Sequence, residues 1–367
     1  MYSLYVYDES LERIGVVEDI DSLQWLSEYQ GTGEVKLVCA ATKKNLELLA
    51  DGNRLYCTEQ PESALIREKI IDDDGKMAKI TVRALPSVSR WADRVVMATE
   101  NITNVETGML GLTSKHRRGL PGSTGRARGL PASIETQITW GSVLDAEISL
   151  AAAAGVGFRE VFKPDVGIET FEVYGGVDRT AGGGYNGYFG DDIDNLTGLS
   201  IVSGTSDWKN VAIVGGEGEG AQRTVLVVSL GSPQGDNRRE LWVDAKDIGR
   251  TYQIATPTGE TDEDGNPRYS YTEATYTEAE YTELLRSRGL EKLAECLQKL
   301  EVDASIGQGL MEYGRDYALG DIVPLKITKY GLRFSARVSA VKTIYESAGK
   351  VVTAVLSDFH LTKELSR

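Results

Sequence analysis

Nucleophilic and acid–base chemistry needs a small set of side chains, and this sequence is sparing with them. It holds two histidines, His116 and His360, and three cysteines, Cys39, Cys57 and Cys296. A serine–histidine or cysteine–histidine pair would need one of those histidines, and neither lies in a motif associated with a nucleophile. The cysteines are odd in number, widely spaced and without a CxxC pair. They read as reduced core residues, with a metal site the lesser reading. HExxH, GxSxG, Walker and Cys/His metal spacings are all missing. Carboxylates abound, so counting does not exclude a paired-acid glycosidase, but the five tryptophans are scattered and suggest no sugar cleft. Asp72-Asp73-Asp74-Gly75 starts like a calcium loop yet lacks the spaced acceptors and late glutamate; it reads as a hairpin tip. The glycine clusters at 182–190 and 215–220 have neither the spacing nor the lysine of a nucleotide loop, and read as turns. The residues point away from catalysis, and no cofactor is expected.

Charge is the stronger signal. Lys115, Arg117, Arg118, Arg126 and Arg128 fall within fourteen residues that contain no acid. That stretch is either a solvated, mobile loop or an anion-seeking arm that docks on an acidic neighbouring subunit. It lacks interleaved aromatics for stacking bases, which argues against nucleic acid. The whole chain carries a net charge of −15. This serves solubility, or else a surface or channel wall that repels polyanions. Residues 257–285 hold eight acids and one arginine and repeat YTE at a five-residue step, which keeps to no single face of a helix or strand.

The elements that must carry these residues are mostly strands. At 367 residues, 41% apolar and 26% charged, the chain is globular and long enough for two to four packed units. No apolar run reaches the roughly 18 residues of a membrane helix, and MYSLYVYDES does not read as a secretion signal. Period-two apolar positions predict strands over 322–328, 333–345 and 351–356, with turns at Gly320-Asp321 and Ser347-Ala348-Gly349. Residues 1–90 predict an antiparallel barrel or sandwich with a short helix capped by Thr42 and stopped near Gly52. Residues 87–96 predict a short helix burying Trp91, and 101–140 are expected to be loop-rich. A helix over 141–154 ends at Gly155. Six strands follow, at 158–162, 168–174, 199–203, 211–214, 224–230 and 240–243. Residues 257–270 predict an exposed loop, and 277–300 a helix weakened locally at Gly289 by about 1 kcal/mol.

Particular residues also carry a family resemblance. Trp25, Tyr29, Gly33-Glu34-Val35-Lys36-Leu37, then 65–70 before Asp74-Gly75, and 80–85, are in the order found in one family. So are Gly216 to Gly220 with Arg223, 238–244, 288–293 and 317–323 with Arg337-Val338. In that order the chain resembles the tail-hub proteins of long-tailed phages, of the siphovirus ReqiPepy type. It is also similar to hubs of contractile tails and phage-tail-like bacteriocins.

The resemblance implies a mainly β fold with α insertions (α+β), with two tail-tube-like antiparallel β-barrel domains and smaller helical or loop-rich ones. The expected division is 1–90 for the first barrel and 91–157 for an insertion bearing the basic loop. Residues 158–256 would be the strand-rich part of the second barrel with a small associated domain. An acidic loop and helix follow at 257–301, and 302–367 complete the second barrel.

The implied role is a homotrimeric hub joining the sixfold tail tube to a threefold spike. Its partners would be two further copies, the tube or distal tail protein, and a spike, fibre or tape-measure protein. DNA would pass through a lumen without specific binding, and three chains of −15 sum to −45. The hub would belong to a virion or tail-like particle assembled in the bacterial cytoplasm. Two other readings are a cell-wall-acting tail enzyme and a receptor- or glycan-binding module.

Overall fold

The computed structural model describes residues 2–75, 77–180, 187–193, 195–261, 267–296, 299–306 and 311–364. Alternation drives strand formation throughout. In Glu34–Ala40, Val35, Leu37 and Cys39 point into the core while Glu34 and Lys36 face solvent. Ala78–Pro86 repeats the pattern with Ile80, Val82 and Ala84. Asp73 and Gly75 lie at the tip joining Ser63–Asp73 to Ala78–Pro86, as the sequence predicts. Thr42 caps the short helix Lys43–Leu48 by accepting from the Asn45 amide.

These strands belong to one eleven-stranded sheet. It runs from Phe189–Gly190 through Ile322–Ile327, Leu332–Glu346, Ile20–Glu28, Glu34–Ala40, Ala78–Pro86, Ser63–Asp73, Arg54–Cys57 and Leu4–Tyr7 to Arg13–Val16. Gly349–Glu364 branches from Leu332–Glu346. Leu332–Glu346 is the shared strand: Phe334 lies opposite Leu325 near its start, and Thr343 lies opposite Trp25 near its end. Register shifts at three places along its ladder with Gly349–Glu364 supply the bends a strand needs to pass from one half to the other. Each half has its own core, around Leu23, Trp25, Leu37 and Val82 in the first and around Phe189, Leu325, Phe334 and Leu356 in the second. Among the described residues no ladder closes either half. The strands Leu196–Gly204 and Lys299–Ile306 pair beside the second half. The fold is mainly β with a few helices.

Among the described residues two further large cores flank the sheet, besides a small cluster of Tyr7, Leu11 and Phe162. The insert's core runs from Val88 to Val173 and so takes in the strands Gly157–Lys163 and Ile168–Tyr174. In it, Ser87–Asp93 buries Trp91 in a 3-10 turn, and Val143–Ala154 is capped by Ser142 and ended by Gly155 at φ 64°. Residues 101–140, expected to be loop-rich, contain the eleven-residue helix Val105–Lys115 and, but for Glu100, both strands of the pair Glu100–Asn104 and Ser133–Ile138. Gly108, Gly111 and two threonines lower its intrinsic propensity. Burial of Val105, Met109 and Leu112 on one side decides for helix.

The fourth core packs Val211–Gly215, Val225–Ser229 and Glu240–Asp244 against the helix Glu278–Glu295. Gly289 is there for close approach: a Cβ on it would lie 2.8 Å from Val214 Cγ2 and 2.9 Å from Val228 Cγ2. That helix stops at Glu295, short of the expected 300, because Leu300 belongs to the Lys299–Ile306 strand. Within the expected loop at 257–270, residues 257–261 and 267–270 belong instead to a two-stranded hairpin, Thr251–Thr261 with Pro267–Thr275, while 262–266 lie outside the described residues. The hairpin's Thr- and Tyr-rich residues favour extended backbone even though they bury little. The cluster at 182–190 lies partly outside the described residues, while Gly215 to Gly220 turn between two strands as expected.

Candidate functional site

Two joints fix the parts of the chain to one another, and the first is a buried ion network. Glu160 sits between Phe158 and Phe162 on the inward side of Gly157–Lys163, a place that strand periodicity reserves for apolar groups. The charge is tolerated because the Ser87–Asp93 turn aims Arg90 at it. Arg90 donates through Nη2 to Glu160 Oε1 at 2.8 Å and through Nη1 to Glu169 Oε2 at 2.7 Å. Arg54 Nε donates to Glu169 Oε1 at 3.0 Å, and the Ser63 and Ser87 hydroxyls reach the same oxygen at 2.5 and 2.6 Å. Trp91 Nε1 donates to Glu160 Oε1 at 3.2 Å.

All of these groups are buried, so the first sheet half and the insert share one desolvated cluster. Burial alone would raise the Glu169 carboxyl, but Arg90, Arg54 and the two hydroxyls outweigh it and hold it below the usual carboxylate range. For Glu160 burial wins, pushing it up to about 7 against the pull of Arg90.

A third buried acid has no such partner. Glu147 lies on the inward face of Val143–Ala154, and neither carboxyl oxygen has a hydrogen-bond partner among the described residues. Burial holds its pKa well above the ordinary 4.5, so it is kept as the neutral acid. The unfolded chain releases this proton at lower pH than the folded one. Stability contributed here is therefore full below about pH 4.5 and declines as pH rises towards the raised folded value. Glu147→Gln is expected to raise the melting temperature by several degrees at pH 8 and by little at pH 4. A shift of equal size at both pH values would contradict that account.

The second joint is built on Tyr29. Its hydroxyl lies 3.1 Å from the Gly155 carbonyl and 3.3 Å from that of Tyr174, to which it donates, and it accepts from the Gly176 amide at 3.1 Å. The Arg337 guanidinium lies over the ring at 5.2 Å, and Tyr174 packs edge-on at 5.3 Å. A Cβ on Gly157 or Gly320 would enter the Tyr29 ring. Next to Gly320, Asp321 accepts from the Val177 amide at 2.8 Å, the Ala318 amide at 2.9 Å and Arg179 Nε at 2.5 Å. Here the first half (Tyr29), the insert (Gly155, Tyr174) and the second half (Gly320, Arg337) meet.

A cavity of about 260 Å³ at this joint is lined by Glu62, Arg159, Tyr174, Tyr313 and Asp321, among others. Burial pushes Glu62 up to about 7, but Asp321 is fully engaged in structure, and the volume is below the roughly 300 Å³ at which ligand pockets begin. The space does not offer two free carboxylates to a sugar. A surface pocket of about 660 Å³ lies elsewhere, lined by Tyr5, Tyr7, Glu12, Arg13, Tyr56 and Asp165.

The basic loop is largely folded back on its own chain. Lys115 pairs with Glu100 at 2.5 Å, and Arg117 stacks over Trp91 at 5.3 Å and donates to Thr124 Oγ1 at 3.1 Å. Arg118 donates to the Val95 carbonyl at 2.9 Å, and Arg128 pairs with Glu172 at 2.7 Å. Arg126 is exposed. Local compensation by Glu100 and Glu172 was invisible in a window that reads acid-free.

His116 is buried, and burial lowers its pKa. The His360 side chain lies outside the described residues. Cys39 is buried and its thiol is pushed up to about 11, so it stays protonated. Among the described residues no group of His, Cys, Asp and Glu is arranged to hold a metal ion, and no helix is long and apolar enough to cross a membrane. The Tyr29 joint and the Arg90 network are what sequence reasoning missed. Advance signs of the Tyr29 joint were the Trp25…Tyr29…Gly33 spacing, the Gly320-Asp321 turn and Arg337; the Arg90 network had none.

The fold, with its long sheet shared by two strand cores, is similar to that of solved phage tail proteins. The tail protein from Neisseria meningitidis MC58 superposes with a TM-score of 0.59 at 12% identity, covering 97% of each chain. The prophage MuSo2 43 kDa tail protein from Shewanella oneidensis gives 0.57 at 11%, again covering 97% of each. Prophage tail protein gp18 from Listeria monocytogenes EGD-e gives 0.54 at 14%, covering 99% of this chain and 95% of that one. At these identities the likeness is one of fold. The chain belongs to the Siphovirus ReqiPepy6 Gp37-like protein family, whose model matches residues 3–356. Among curated proteins none matches the sequence.

Proposed function

We propose that this phage tail protein is a trimeric hub that joins a sixfold tail tube to a threefold spike or fibre, with no catalysis of its own. The observation that carries the reading is the shared strand Leu332–Glu346, which puts two strand cores in one chain at a set mutual orientation. If each half rolls into a tube-like barrel, three copies present six such units and can match a sixfold neighbour. The ring edges would then be paired and not open to runaway strand addition.

The charge of −15 per chain supports an acidic lumen that DNA passes without sticking. The partners are two more copies, the tube or distal tail protein, and a spike, fibre or tape-measure protein, in a particle assembled in the host cytoplasm. The basic loop (Lys115, Arg117, Arg118, Arg126 and Arg128) is assigned to subunit docking, with Lys115, Arg118, Arg126 and Arg128 its exposed members. Sedimentation or native mass measurement is expected to give three times the 40.0 kDa chain mass, and low-resolution images a threefold ring with a central hole. A monomer at all concentrations would refute the reading. Soluble fragments released from cell walls would favour the tail-enzyme reading instead. The aromatic-lined 660 Å³ pocket favours a second reading, a receptor- or glycan-binding module, which predicts a persistent monomer that retains glycans.

A further inference from the structure

Among the described residues, no core lies beneath the hairpin Thr251–Thr261 with Pro267–Thr275. Among the described residues its strands pair only with each other, and from Gln253 to Glu273 the described side chains are exposed on both faces. A lone two-stranded hairpin is marginal in water unless something packs on it. Eleven residues in the longer strand give it a reach of about 35 Å. It is rooted on the insert: Tyr276, stacked on Tyr252 at 4.4 Å, donates to Asn101 Oδ1 at 2.7 Å and accepts from Gln137 Nε2 at 2.9 Å. Register sets its faces. Gln253 lies opposite Glu273, Ala255 opposite Tyr271 and Pro257 opposite Tyr269, so Tyr269, Tyr271 and Glu273 form one row on one face. Tyr269 is 45% and Tyr271 56% exposed.

The same insert carries an uncovered apolar patch. Trp140 is 71% exposed, Met97 58% and Val95 47%. They are held side by side, since Val96 donates to the Gly141 carbonyl at 2.8 Å and Val95 bridges to Ser142. Trp140 is held at φ 47° and the adjoining Arg118 at φ 38°, a left-handed backbone that bulky residues rarely adopt. Strain kept at an exposed tryptophan points to a use for it. Arg118, on the Val95 carbonyl, and Arg94, on the Arg117 carbonyl at 3.3 Å, rim the patch with positive charge.

We infer that the Tyr269–Tyr271–Glu273 face of one copy docks on the Val95–Met97–Trp140 patch of the neighbouring copy, with Glu273 meeting Arg118. Arm and patch are both exposed within a single chain, so the arm does not cover its own patch. Aromatic side chains with an acid face an apolar surface with two arginines, and aromatics and arginine are the groups that anchor interfaces. Each chain offers one arm and one patch. A closed ring of head-to-tail contacts occupies all of them, whereas an open array leaves one of each unfilled. This rests on the trimer reading and adds which surfaces close the ring.

The test uses the full chain with Cys296→Ser, because Cys39 and Cys57 are buried. Tyr271→Cys in one preparation and Met97→Cys in another are mixed and oxidised. A disulfide between the two kinds of chain is expected. In parallel, Trp140→Ala or the pair Tyr269→Ala and Tyr271→Ala should raise the subunit dissociation constant roughly 30-fold. Arg118→Glu and Glu273→Arg should each weaken assembly and together restore part of it. A wild type that assembles as a trimer while no such disulfide forms and the variants assemble normally overturns this docking and leaves the hub reading standing. A wild type that never assembles overturns both.

Discussion

Arg90→Met is expected to cost about 3–5 kcal/mol of unfolding free energy at pH 7, because it leaves Glu160 and Glu169 buried without their shared cation. Methionine keeps most of the volume, so packing loss is minor beside the electrostatic one. The loss should depend on pH. Glu169 is held below its ordinary range in the folded protein, so its contribution is present above about pH 4.5 and fades as pH falls through the lowered value. In the variant both acids can protonate, which relieves the penalty. The difference between wild type and variant in urea unfolding should therefore be largest near pH 7 and shrink towards pH 4. An equal difference at both pH values would mean that Arg90 acts through packing and not through charge.

Gly320→Ala should be damaging for a separate reason. Gly320 sits at φ 92°, and a Cβ there would enter the Tyr29 ring, which cannot retreat because Gly157 closes the other approach and the hydroxyl is held by the insert. Backbone strain accounts for about 1–2 kcal/mol, and the collision should bring the total to at least about 3 kcal/mol. Gly349 is the control, at φ 128° with nothing within 4 Å of its Cβ, so Gly349→Ala carries strain alone. The denaturation midpoint should fall much further for Gly320→Ala than for Gly349→Ala. Adding Tyr29→Ala to Gly320→Ala should cost less than the two changes made apart. If the two glycine variants behave alike, the joint is looser than its geometry indicates.

What was legible in the residues was whatever local spacing decides. Glu34–Ala40 alternates buried and exposed along the chain, and so do Ala78–Pro86 and much of Leu332–Glu346. The cap Thr42 and the stop at Gly155 act within four residues of themselves. The errors were of one kind. Val105–Lys115 hid behind Gly108 and Gly111 because its helicity comes from packing on the insert's core. The 251–275 hairpin hid because a strand that buries neither face has no alternation to read. Leu300 looked like the next turn of a helix, while its place is set by pairing with Ser203, nearly a hundred residues earlier.

By itself, then, the order of residues determined a mainly β chain, most strand positions, the capped helices and membership of a phage tail family. Tertiary structure alone decided that Arg54, Ser63, Arg90, Glu160 and Glu169 share one buried cluster, and that Tyr29 closes on glycines 128 and 291 positions further along. It also decided that two of the basic loop's five cations, Lys115 and Arg128, are answered by Glu100 and Glu172. The physical reason is range. Periodicity and capping act over a few residues, whereas a buried charge or a glycine contact takes its meaning from a partner that only folding brings near.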